Sequence, residues 1–126
     1  MNLVVWIVSA LLALAFFAAG VMKLTQSKEK LATSGMRWTE DYNAATIRGI
    51  GVLELLAAIG LIVPPLLNIA PVLVPLAAGG LVIIMLGAAY THARRKEYPM
   101  IAGNLVLLVL AAVVAWTRLT GVPFTA

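Results

Sequence analysis

Four runs of about twenty residues with almost no charge in them leave this chain one architecture to adopt. Crossing the hydrocarbon of a bilayer takes about 20 apolar residues in a helix, and within lipid every backbone N–H and C=O must be satisfied inside the protein. Residues 3–22, 44–63, 70–90 and 98–117 each meet that length. Of the chain's 126 residues, 63% are hydrophobic and 11% charged, against roughly 45–50% apolar and about 25% charged in soluble domains. The expectation is an all-α integral membrane protein, a single membrane domain over residues 1–126. Its four transmembrane helices should form a left-handed bundle, the default packing of such helices.

The first run competes with a cleaved leader, which would want a basic start and an apolar stretch of only about 7–15 residues. Asn2 is the only polar residue ahead of the run, which continues uncharged to Met22, so a retained helix is expected. The second run ends at Pro64-Pro65, where two prolines remove donors and force an extended turn. Pro71 then falls in the first turn of the third helix, where a missing N–H is tolerated, and Pro75 is expected to kink it. Between the first two spans, residues 25–43 form a polar loop with room for a short interfacial helix.

Charge sets the topology. Lys23, Lys28, Lys30 and Arg37 follow the first span, Arg94, Arg95 and Lys96 follow the third, and Arg118 alone lies on the other side. The positive-inside rule then puts both basic loops in the cytoplasm and both termini outside, across the cell membrane. Trp6 and Trp116 mark the outer interface, while Trp38, Tyr42, Tyr90 and Tyr98 mark the inner one. The net charge of +4 is therefore topological and gives no reason to expect nucleic acid. With no cysteine in the chain, thiol relays, disulfides and Cys-bound metal centres are excluded, and no metal site is expected. Small residues let membrane helices approach: Ala15, Ala18, Ala19 and Gly20 on the first span, Gly49, Gly51 and Gly60 on the second, Gly79, Gly80 and Gly87 on the third.

Glu54 carries the most information. It lies mid-span, where an unpaired charge costs on the order of 2.5–3.5 kcal/mol, so the fold must pair it, protonate it or give it water. It is the candidate acid or base; the plain alternative is an interhelical brace. Arg48, six residues earlier, is turned by about 240° on a helix, so the two do not share a face. Arg48 is either a snorkelling anchor or a ligand contact. Lys23 and His92 end their spans, and Asn104 lies about 9 Å into the fourth. These three could meet Arg48 and Glu54 around one polar pocket open toward the cytoplasm, or serve as boundary residues and an interhelical hydrogen bond. A haem on two histidines is impossible, since His92 is the only one.

Phe16-Phe17-Ala18-Ala19-Gly20-Val21-Met22-Lys23-Leu24, then Arg48-Gly49-Ile50-Gly51-Val52-Leu53-Glu54, the exit from Gly60 to Pro65, and Gly87-Ala88-Ala89-Tyr90-Thr91-His92 resemble the DoxX-like membrane proteins over roughly residues 10–118. The resemblance implies a four-helix protein of the cytoplasmic membrane, with Lys23, Gly51, Glu54 and His92 as matching positions. It also implies an association with membrane redox complexes, the family being named for a subunit of a thiosulfate:quinone oxidoreductase. Lack of cysteine separates the chain from four-helix quinone-coupled disulfide enzymes.

The residues are compatible with three functions. One is a subunit holding a lipophilic small molecule, for example a quinone, around Glu54 with Arg48, Asn104 and Gly51 as ligand contacts, for a partner oxidoreductase, the cofactor itself being unidentified. Another is a stand-alone enzyme with Glu54 as acid or base and Lys23 and His92 assisting. The third is a proton-coupled transporter, working as a homodimer, or an assembly factor.

Overall fold

A helix in hydrocarbon satisfies its own backbone, so the apolar runs become helices whatever their individual propensities. The computed structural model describes residues 2–67 and 72–120. Four long helices carry the fold: α1 (Asn2–Thr25), α3 (Ala44–Leu67), α4 (Leu73–Arg94) and α5 (Tyr98–Leu119). A short α2 (Lys28–Thr33) and a 3-10 turn (Arg37–Asp41) fill the polar loop between α1 and α3. All four long helices are long and apolar enough to cross a membrane. No strand occurs among the described residues.

The helices pack in ring order α1, α3, α4, α5, each touching the next and α5 closing on α1. Leu12, Phe16, Leu61, Ala78, Leu81 and Val114 fill the centre, while Leu3, Leu14, Leu66, Leu76 and Ile83 stand exposed around the outside. Water would not tolerate that exterior; lipid requires it. The chain is a multi-pass membrane protein, with a bilayer as its surroundings.

Two helix boundaries differ from the sequence expectation. α3 runs one turn past the predicted stop, through Pro64 and Pro65 to Leu67. Proline's ring holds φ near the helical value, and the lost donors fall at the end of the helix, where membrane helices absorb them. α4 is described from Leu73, so Pro75 is its third residue and not an interior kink point. The first four N–H groups of a helix have no intrahelical partner, so a proline there sacrifices nothing. The expected first-turn Pro71 and the rest of the 64–69 turn beyond Leu67 lie outside the described residues, as does the tail after Thr120.

The glycines divide in a way that the sequence did not predict. Gly20 and Gly51 face each other across the α1/α3 seam: a Cβ on Gly20 would stand 2.8 Å from the Gly51 carbonyl oxygen, and one on Gly51 would meet Lys23 Cβ at 2.9 Å. Gly60 similarly abuts Ala77 of α4. Gly49, Gly79, Gly80 and Gly87, expected to pack helices together, have open space where a side chain would go. Only the first group sets helix separation within the chain. Gly20→Ala and Gly51→Ala should each lower stability in detergent by about 1–3 kcal/mol through overpacking, whereas Gly79→Ala should not; thermal unfolding of the three variants side by side checks this, and equal melting would show that the seam has slack.

Candidate functional site

The close α1/α3 approach permitted by Gly20 and Gly51 puts the end of α1 against the middle of α3. Lys23, two residues from the end of its helix, turns inward along that seam and its Nζ donates to Glu54 Oε1 at 2.6 Å. Lys23 is only 5% exposed and Glu54 3%, so this is a buried ion pair. Each charge alone would be costly at this depth, and each is the other's compensation. The face of Trp38, from the 3-10 turn, covers the ammonium with its ring centre 5.6 Å from Nζ, within cation–π range.

Around the pair lies a cavity of ≈ 360 Å³, within the range of small-molecule sites. Its polar wall comprises Lys23, Glu54, His92, Asn104, Thr91 and Tyr42; Phe16, Ile84, Met85 and Leu107 supply apolar wall. All five elements other than α2 contribute. Asn104 Nδ2 donates to Met85 Sδ at 3.6 Å, while its Oδ1 is buried with no hydrogen-bond partner. A buried amide oxygen without a donor is costly, and it marks a place where a ligand or water hydroxyl would be welcome.

His92 is held by the way α4 ends. Glu97 N–H bonds to the His92 carbonyl at 2.8 Å and Lys96 N–H to that of Ala93 at 3.1 Å, with Lys96 at φ 59°. This is a Schellman ending with lysine in the left-handed position that glycine usually takes. The turn folds Glu97 back, and its Oε1 lies 2.8 Å from His92 Nδ1. An ionised carboxylate only accepts, so Nδ1 carries the proton and Nε2 is the ring's remaining polar atom. The hydrogen bond from His92 is the largest cause of a Glu97 carboxyl held below the usual glutamate range, with Arg95 adding to it.

Arg95 fastens the loop over this end of the bundle. Its guanidinium donates to Asp41 at 2.9 Å and Glu40 at 3.1 Å, both on the 3-10 turn, and pairs with Glu97 at 3.4 Å. The hydrogen bond to Asp41 is the first cause raising the Arg95 pKa above its ordinary value. Thr91 donates its one hydroxyl proton to the Gly87 carbonyl, so the Tyr42 hydroxyl, 2.7 Å away, is the donor between those two side chains. Tyr42 and Trp38 meet edge-on at 5.8 Å.

The sequence model of the DoxX-like family matches residues 7–114. The chain belongs to the DoxX-like family. Neither the curated proteins nor the solved structures gave a match. Of the family-matching positions named above, this DoxX-like chain gathers Lys23, Glu54 and His92 in one wall, joined by Asn104. Gly51 is buried behind them, where it lets Lys23 pass, and does not line the cavity. Arg48, read from the sequence as either an anchor or a ligand contact, is exposed and does not line the cavity. Sequence reasoning missed Trp38, Tyr42, Thr91 and Glu97 as parts of the site. The two aromatics looked like interface markers, and the one signal for Glu97 was an acid alone in a basic loop.

Removing one partner of a buried pair strands the other, so Lys23→Met or Glu54→Leu alone should cost about 3–5 kcal/mol. The double variant should recover much of that, a coupling that thermal unfolding in detergent would read directly. Loop fastening gives a second expectation. Glu97's depressed pKa means its contribution is complete above the ordinary glutamate value of about 4.3 and is lost as pH falls through its own lower value. Hydrogen exchange at residues 37–42 should therefore stay slow from neutral pH down to that range, and rise in Arg95→Gln at every pH; unchanged exchange in Arg95→Gln would show the loop is held otherwise.

Proposed function

We propose that this DoxX-like protein is a membrane subunit that holds a lipophilic small molecule, a quinone by its chemistry, with the polar head in the cavity beside Glu54, on behalf of a partner oxidoreductase. The observation that carries the reading is the unpartnered Asn104 Oδ1 sharing a cavity wall with a buried ion pair and a histidine. That donor and acceptor set fits a ring bearing oxygens. Lys23 commits one N–H to Glu54 and keeps others for a ring carbonyl, Asn104 Oδ1 can accept from a ring hydroxyl, and His92 Nε2 is a further polar atom in the wall. A bound quinone would supply electron and proton exchange with the membrane pool, and the chain's own residues would orient its head and keep bulk water out.

Glu54 is already engaged by Lys23, which favours holding over acid–base turnover as the role of this site. The Lys and Arg bias supports a cytoplasmic location for the loop end of the cavity, with both termini outside and the cell membrane as the residence.

The test is mass spectrometry of organic extracts from gently purified protein. Wild type should retain one lipophile near one-to-one, and Glu54→Gln and Lys23→Gln/Glu54→Gln should retain it at least fivefold less; the double variant leaves no stranded charge, so its loss of ligand cannot be blamed on misfolding by an unpaired lysine. Bulk lipid alone in the wild-type extract would overturn the reading.

A further inference from the structure

A second, larger cavity of ≈ 690 Å³ opens on the lipid side of the α3/α4 seam. Its walls carry no polar side chain: Leu53, Leu56 and Gly60 come from α3, Leu76, Gly80 and Ile83 from α4, with other aliphatic residues between them. Leu53, Leu56, Leu76 and Ile83 are exposed, so this is a groove that faces hydrocarbon. It follows α3 from Leu53 to Leu67, about 21 Å at the helical rise. That shape suits a chain, not a ring.

One residue joins the groove to the polar cavity. Ile84 lines both, so a single aliphatic side chain stands at the neck between them. The neighbouring positions repeat the relation: Leu53 faces the groove where Glu54 faces the cavity, and Ile83 faces the groove where Met85 faces the cavity. The polar cavity and the apolar groove thus lie back to back across one turn of two helices. Gly80, in the groove wall, has nothing within 4 Å of where its Cβ would stand, so space there is left open.

We infer that the molecule held beside Glu54 is an amphiphile with a ring-sized polar head and a long hydrocarbon or isoprenoid tail, and that it reaches the site laterally from the bilayer between α3 and α4, its tail lying in the groove past Ile84. This rests on the holding role proposed above and extends it to ligand class and route. Lipid tails are as apolar as the leucines they touch, so the groove gains its occupant by shape and by the tether to a bound head, not by a hydrophobic drive.

The protein in nanodiscs would be given two probes: dimethoxymethylbenzoquinone, which is a head without a tail, and its decyl derivative carrying a diazirine on the chain. In wild type the head should bind by equilibrium dialysis against empty discs, and photolysis of the decyl probe should label 53–67 and 76–84 above the lipid faces of α1 and α5. Gly80→Leu puts a side chain into the groove from a position where a Cβ would meet nothing within 4 Å. It should leave head binding within twofold of wild type and cut groove labelling at least fivefold. Ile84→Phe, which narrows the neck, should cut labelling likewise and guards against a folding defect peculiar to the first variant. Head binding with labelling spread evenly over all lipid faces, or equal groove labelling by a diazirine phosphatidylcholine, would overturn the tail route while sparing the holding role. Failure of the wild type to bind either probe would overturn both.

Discussion

The rest of this molecule depends on one buried ion pair. Lys23 and Glu54 lie in a medium that penalises each charge by several kcal/mol, and their 2.6 Å contact is what makes both admissible. To make that contact, α1 and α3 must lie backbone to backbone, which Gly20 and Gly51 permit, and the lysine must turn along the seam towards the interior. Trp38 then closes over the ammonium, which commits the loop between α1 and α3 to a folded path. A replacement of both charges by apolar residues would leave a bundle of ordinary helices and take away the cation that Trp38 covers, with Arg95 and Thr91 left to hold the loop.

The pair also explains why there is a cavity where a membrane bundle would ordinarily be close-packed. Polar groups at this depth need partners with directional geometry, and the side chains that supply it do not fill space as evenly as interlocking leucines. His92 is held from outside the wall by Glu97, and Asn104 is left with an oxygen that no protein donor reaches. Polar atoms are thus concentrated at the loop end, and Ile84 lines both the cavity that holds them and the apolar groove.

Much of the fold was legible because hydrocarbon imposes length and charge limits that any reader of the sequence can count. What the counting could not reach was decided by contacts between distant residues. A lysine at the end of a span ordinarily snorkels outward, and nothing local distinguishes Lys23 from that habit. Glu54 announced itself by its charge, but whether Arg48 shared its cavity depended on how the helix is turned in the bundle, which only the packed structure decides. Glycines, however, look alike in sequence whether they are pressed against a neighbour, as Gly51 is, or open to lipid, as Gly79 is. The proline pair at 64 and 65 was read as a stop because local rules weigh lost donors, whereas a membrane helix is held by its surroundings to the last turn.

The division of one ion pair between two successive spans bears on how the chain enters the membrane. α3 offered alone to a bilayer carries an uncompensated acid near its centre; α3 offered beside α1 carries half of a neutral unit. Biogenesis is therefore cheapest when the first span waits at the insertion machinery for the second, and the two leave it together as one hairpin. The 18 residues from Gln26 to Asn43 that separate the helices are long enough to allow that wait, so the loop that roofs the cavity in the folded protein would also be the tether of a paired insertion.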